Sequence, residues 1–133
     1  MAGKVHQKRF SFVKEERLKS KKLIDSLFSQ KTFVQNSTIR IYYQCVAVNC
    51  AFPAQFAFVA SKRIFPNAVD RNRIKRLMRE SIRLQKPDFY TTISDMDKTV
   101  ILLLNYQAKE IKTYAEIYQA IESLLAKLCK KIN

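Results

Sequence analysis

Ala68-Val69-Asp70-Arg71-Asn72-Arg73-Ile74-Lys75-Arg76-Leu77-Met78-Arg79-Glu80-Ser81-Ile82-Arg83 is the stretch from which the rest of the chain can be read. It places six cationic side chains in sixteen residues, yet its pattern is that of a folded helix. At about 100° per residue, Arg71, Lys75, Arg79, Asn72, Arg83 and Arg76 fall within an arc of about 140°. Ile74, Leu77, Met78 and Ser81 fall on a separate arc, so one face can pack while the other presents charge. Pro66 discourages helix before it, Asn67 is a candidate N-cap, and Asp70 places a carboxylate in the first turn. Pro87 is the expected stop.

An ordinary solvated helix face mixes signs and pairs Glu with Lys at i,i+4. Here Asp70 and Glu80 are the only acids, and Arg71, Lys75, Arg79 and Arg83 repeat like charge at each i,i+4 step. Each such pair is unfavourable by a few tenths of a kcal/mol, about 0.2–0.5. A column of this kind points to an anionic partner.

Composition agrees. The 133 residues fit one domain, 47% of them are hydrophobic, and the net charge is +14. The excess is concentrated: residues 1–31 hold nine basic and three acidic side chains, and residues 61–86 hold nine and two. Cys45, Cys50 and Cys129 lack metal-site spacing and read as reduced thiols. His6 is the only histidine and Gly3 the only glycine, so neither a histidine catalytic base nor a glycine-rich phosphate loop is expected. Asp95 and Asp97 lie in what reads as a polar loop, and the remaining acids are scattered. No catalytic residue and no metal site is assigned. No apolar run reaches membrane-span length and no signal-peptide core stands at the N-terminus, which gives a cytoplasmic expectation.

Outward from the basic helix, residues 1–16 read as a basic arm that can be mobile, with Phe10 and Phe12 as anchors, and residues 17–133 as a single domain. Ser20 to Phe28 reads as a short helix capped by Ser20. Thr32 to Val34, Ile39 to Val48 and Gln55 to Ser61 read as strands. Asn49 to Ala54 reads as a turn. Thr99 to Asn105, with Val100-Ile101-Leu102-Leu103-Leu104 at its centre, suits a strand buried on both faces. Thr113 and Glu116 form a capping box ahead of a final helix whose stripe is Tyr114, Ile117, Tyr118, Ile121, Leu124, Leu125 and Leu128. The order α-β-β-β-α-β-α makes an α+β fold, a small central sheet packed by helices. Basic side chains with interleaved aromatics suit single-stranded nucleic acid, and Phe28, Tyr42, Tyr43, Phe56 and Phe58 could supply the rings.

Phe58-Val59-Ala60-Ser61-Lys62-Arg63, followed by Asn67-Ala68-Val69-Asp70-Arg71-Asn72-Arg73-Ile74-Lys75-Arg76-Leu77-Met78-Arg79-Glu80, resembles the signature of the bacterial ribonuclease P protein component. Arg17-Leu18-Lys19-Ser20 and Leu27-Phe28 resemble that family's opening helix, and the likeness spans roughly residues 9–130. The resemblance implies a left-handed β-α-β crossover around the basic helix. It implies a protein that assists a catalytic RNA in removing the 5′ leader from precursor tRNA, the RNA doing the hydrolysis with Mg²⁺. The partners implied are that RNA and precursor tRNA, with no membrane and no protein partner. By match to the motif, Lys62, Arg63, Arg71, Asn72, Arg73, Lys75, Arg76 and Arg79 are the RNA-contact candidates. Arg73, apart from the main arc, is free to brace the loop or sheet edge instead. Phe28 and Tyr42 match aromatic positions of the family's leader-binding cleft, and Ile24 stands there where many relatives carry Phe. Pro66-Asn67 replaces a common Gly-Asn, and Arg63 a common Lys. The alternative is a general RNA-binding module, such as a ribosome-associated protein.

Overall fold

A computed structural model of the chain describes residues 16–46, 53–96 and 98–132. Among the described residues, three helices and four strands follow in the order α1 (Lys21–Gln30), β1 (Phe33–Gln35), β2 (Ile39–Val46), β3 (Ala54–Ala60), α2 (Ala68–Asp95), β4 (Thr99–Tyr106) and α3 (Tyr114–Ile132). The strands form one sheet in the order β1-β2-β4-β3. β1 and β2 are antiparallel, as are β2 and β4, whereas β3 and β4 run parallel. A parallel pair needs a crossover, and α2 supplies it. The fold is the α+β sheet-and-helix arrangement read from the sequence. The arm expected for residues 1–16 lies outside the described residues except for Glu16, and so does most of the turn expected at 49–54.

β4 is central. Val100, Leu102 and Leu104 point into the main core with Ile39, Ile41, Tyr43 and Phe56, under Ile74, Met78, Ile82, Phe89 and Ile93 of α2 and Ile117, Ile121, Leu124 and Leu128 of α3. Ile101 and Leu103 point the other way, into a smaller cluster with Leu18, Leu27 and Tyr42. The uninterrupted apolar run is therefore the signature of a strand with a core on each face. Asn36 sets the β1–β2 turn: its Oδ1 accepts from the amides of Thr38 (3.0 Å) and Ile39 (2.9 Å). Ser20 caps α1, accepting from the Leu23 amide at 3.3 Å. The capping box of α3 is present, with the Glu116 amide 3.2 Å from Thr113 Oγ1 and the Thr113 amide 3.2 Å from Glu116 Oε1.

Two local expectations are corrected. Pro87 does not stop the basic helix. It lies inside a 28-residue helix, and Asp95 closes that helix instead of standing in a loop; Asp97 is outside the described residues. A mid-helix proline removes one backbone bond and crowds the preceding turn. The turns beyond it bury Phe89 and Ile93 in the main core, and that burial outweighs the break. Asn67 occupies the N-cap position in an extended conformation, but its side chain makes no cap bond; its carbonyl accepts from the amides of Asp70 and Arg71.

Because Pro87 is tolerated by tertiary packing alone, Pro87→Ala is expected to stabilise the fold, by up to about 3 kcal/mol. Thermal unfolding checks this; an unchanged or lower melting temperature would show that the proline fits its site without strain.

Candidate nucleic-acid interface

The second face of the sheet is only partly covered. Leu27 of α1 and Leu18 seat on Tyr42, Ile101 and Leu103, while Ala57 and Val59 of β3 stay half-buried. The remaining gap is a groove of about 460 Å³. Its apolar wall includes Ile24, Ala57, Val59 and Leu103, and its cationic rim is Arg17, Lys19, Lys75 and Arg79. The Arg79 guanidinium stands 5.5 Å from the centroid of the Phe58 ring, within cation–π range. Burial, and then the neighbouring charges of Arg17 and Arg76, hold the Arg79 pKa below its ordinary value. Like charges crowded around a partly apolar groove are unfavourable until an anion arrives.

At the other end of α1 the surface is aromatic. Phe28, one turn beyond Ile24, is 41% exposed and meets Tyr42 edge-on with ring centroids 5.0 Å apart. Tyr42 is buried and also meets Phe33, at 5.6 Å. Arg40 lies 4.3 Å over the Phe33 ring and donates to the Tyr42 hydroxyl (3.1 Å) and to Gln35 Oε1 (3.1 Å). Phe28 is thus the exposed ring of the pair, and Tyr42 backs it. Of the other candidate rings, Tyr43 and Phe56 are buried in the main core and Phe58 lies under Arg79.

The column of like charges divides. Lys75 and Arg79 line the groove. Arg71 turns back, its Nη1 donating to the carbonyls of Phe65 (2.9 Å) and Pro66 (2.8 Å). Arg83 pairs with Glu80 through two hydrogen bonds, one of them 3.0 Å, and the guanidinium holds the Glu80 carboxyl below the usual carboxylate range. Asn72, Arg73 and Arg76 are exposed, as are Lys62 and Arg63 in the loop after β3. The loop brace is therefore Arg71, and Arg73 points to solvent. Four further residues join the surface that were not among the contact candidates: Arg17 and Lys19 at the groove, and Phe33 and Arg40 at the aromatic end. Arg40 shares the alternation of Tyr42 along β2, and Phe33 stands opposite Tyr42 in register, so both were within reach of strand pairing. Arg17 reaches the groove only because residues 17 and 18 run alongside β3, which local pattern does not reveal. Among the described residues no group of three His, Cys, Asp or Glu side chains could hold a metal ion.

The family model described as Ribonuclease P matches residues 12–129 of the sequence. The chain belongs to the ribonuclease P family. Relatives named ribonuclease P protein component include that of Chlorobium phaeobacteroides, 38% identical over 84 residues covering 61% of this chain and 58% of the relative. In Chlorobaculum tepidum the match is 38% over 71 residues, covering 51% and 46%. These two matches span about half the length of the relatives. The match in Nitrosomonas eutropha is 26% over 123 residues, covering 92% and 95%. Among solved structures, the Staphylococcus aureus RNase P protein superimposes with a TM-score of 0.68 at 21% identity, covering 85% of this chain and 94% of that one. The Thermotoga maritima RNase P protein gives 0.67 at 18% identity, covering 84% and 96%. At these identities the structures establish the fold. They agree with the crossover sheet seen in this family member.

In this ribonuclease P family chain, Arg71 and Arg76 should separate by role. Arg71→Ala is expected to lower stability by about 1–2 kcal/mol, since it strips two carbonyls of a charged donor. Exposed Arg76 should change stability by no more than about 0.5 kcal/mol when replaced by Ala. Urea unfolding of both variants is the check; equal stabilities would refute the brace.

Proposed function

We propose that the chain is the protein subunit of ribonuclease P, binding the catalytic RNA and the single-stranded 5′ leader of precursor tRNA and assisting removal of that leader. The observation that carries this reading is the continuity of the surface: Phe28 and Tyr42 at one end of α1, Ile24 between, and Lys75 and Arg79 of α2 at the rim of the same groove. An unpaired base can stack on Phe28 while phosphates meet Arg and Lys along the rim. The exposed Lys62, Arg63, Asn72, Arg73 and Arg76 extend the cationic surface toward a folded RNA.

In this reading the protein contributes binding and electrostatics. Neutralised phosphates release counterions, which favours association and makes it salt-dependent. Contacts made only to the leader favour precursor over mature tRNA. Hydrolysis, and the Mg²⁺ that supports it, are assigned to the RNA. No helix among the described residues is long and apolar enough to cross a membrane, and a cytoplasmic ribonucleoprotein is the setting proposed.

The test is reconstitution. With catalytic RNA at low Mg²⁺, the chain should accelerate cleavage of precursor tRNA, whereas the chain alone should leave the substrate intact. Cleavage by RNA-free protein, or no effect on the RNA's activity, would contradict the proposal. Phe28→Ala should weaken binding of leader-bearing precursor by about 1–3 kcal/mol, the range for one lost base stack, and leave leaderless tRNA affinity unchanged. Equal losses for both substrates would remove Phe28 from the leader site.

A further inference from the structure

Glu16 and Lys86 form an ion pair with side chains 0% and 1% exposed. Lys86 Nζ lies 2.8 Å from each oxygen of the Glu16 carboxylate, and the Tyr90 hydroxyl donates to the same group. Removing two charges from water is expensive, and apolar residues of similar volume hold elements together as well or better. What a buried, directional pair adds is a fixed position for the chain that carries it.

The next two residues show what that position is. Arg17 bridges to Phe56 as a parallel neighbour of β3, and the Leu18 amide donates to the Phe56 carbonyl at 2.8 Å. The Arg17 side chain thereby joins Lys19, Lys75 and Arg79 around the groove. Its charge repels that of Arg79. The Glu16 cluster fixes the chain one residue before Arg17, alongside the backbone bond to β3.

We propose that Glu16, Lys86 and Tyr90 act as a positioning clamp that keeps Arg17 in the groove as a further phosphate contact for RNA. This rests on the RNA-binding reading of the groove. The prolonged α2 gains a second role: Lys86 and Tyr90 flank Pro87, so the helix must continue past the proline for both to reach Glu16.

The experiment uses the full chain reconstituted with catalytic RNA, measuring affinity for precursor tRNA across a salt series. Arg17→Ala should lower the slope of log affinity against log salt by about one unit, as expected for one lost phosphate contact. Glu16→Gln, still melting cooperatively, should shift affinity and slope in the same direction, and Arg17→Ala should cost less in that background than alone. Wild-type affinity and slope in Glu16→Gln, strictly additive losses, or no effect of Arg17→Ala would each overturn the clamp. If Glu16→Gln fails to fold, Tyr90→Phe, which spares the ion pair, carries the same comparisons. Lys75→Ala separates the two levels: a loss there without one at Arg17 defeats the clamp alone, and a loss at neither defeats the RNA-binding reading as well.

Discussion

Side chains leave β4 in opposite directions, Val100, Leu102 and Leu104 toward two long helices and Ile101 and Leu103 toward one short one. That inequality shapes the molecule. Helices α2 and α3 cover the first face, leaving Phe58 half-buried at its edge. On the second, α1 is ten residues long and seats mainly through Leu27, leaving β3 partly uncovered. A strand with a core on both sides cannot slip in register without moving apolar side chains between them, so the edges of the gap are fixed by the sheet itself.

The electrostatics follow from where the gap lies. β3 leads directly into the loop and helix that hold the exposed Lys62, Arg63, Arg73, Arg76 and Arg79, so the apolar floor and part of the charged rim are neighbours in sequence as well as in space. The rim is under repulsion, and the fold accommodates it with fixed attachments. Arg71 is held by backbone carbonyls, Arg83 by Glu80, and the segment bearing Arg17 by the backbone of β3. Only part of the basic column is therefore left for a partner. A wheel drawn from sequence treats its members as equivalent, but the structure distinguishes a brace, a pair and two groove residues. The surface between α2 and α3 has a different character, with Asp88 and Glu122 lining a separate depression. The two depressions thus differ in the charge that lines them.

Much of this was legible without coordinates, because it was written in local pattern. The apolar run of β4, the Thr113–Glu116 box and the two-faced wheel of α2 each depend on residues close in sequence, and each took the expected form. Features set by distant contacts were not legible. Pro87 reads locally as a stop, and burial of Phe89 and Ile93 overrides it. Arg71 and Arg73 look alike in composition, and only the path of the Phe65–Pro66 loop decides which one is engaged. Glu16 reads as part of a charged arm, yet it is buried because Lys86, seventy residues away, is there to receive it.

The central claim is that one side of the molecule, from Phe28 through the groove to Arg79, receives single-stranded RNA. Amide chemical-shift mapping on the full isotope-labelled chain, titrated with a short single-stranded RNA, tests it most directly. The shifts should concentrate at residues 17–28, 57–59 and 75–79, fade with added salt, and spare Thr92, Glu122 and Cys129. Shifts centred on the α2–α3 surface instead, or none at the groove at low salt, would contradict it.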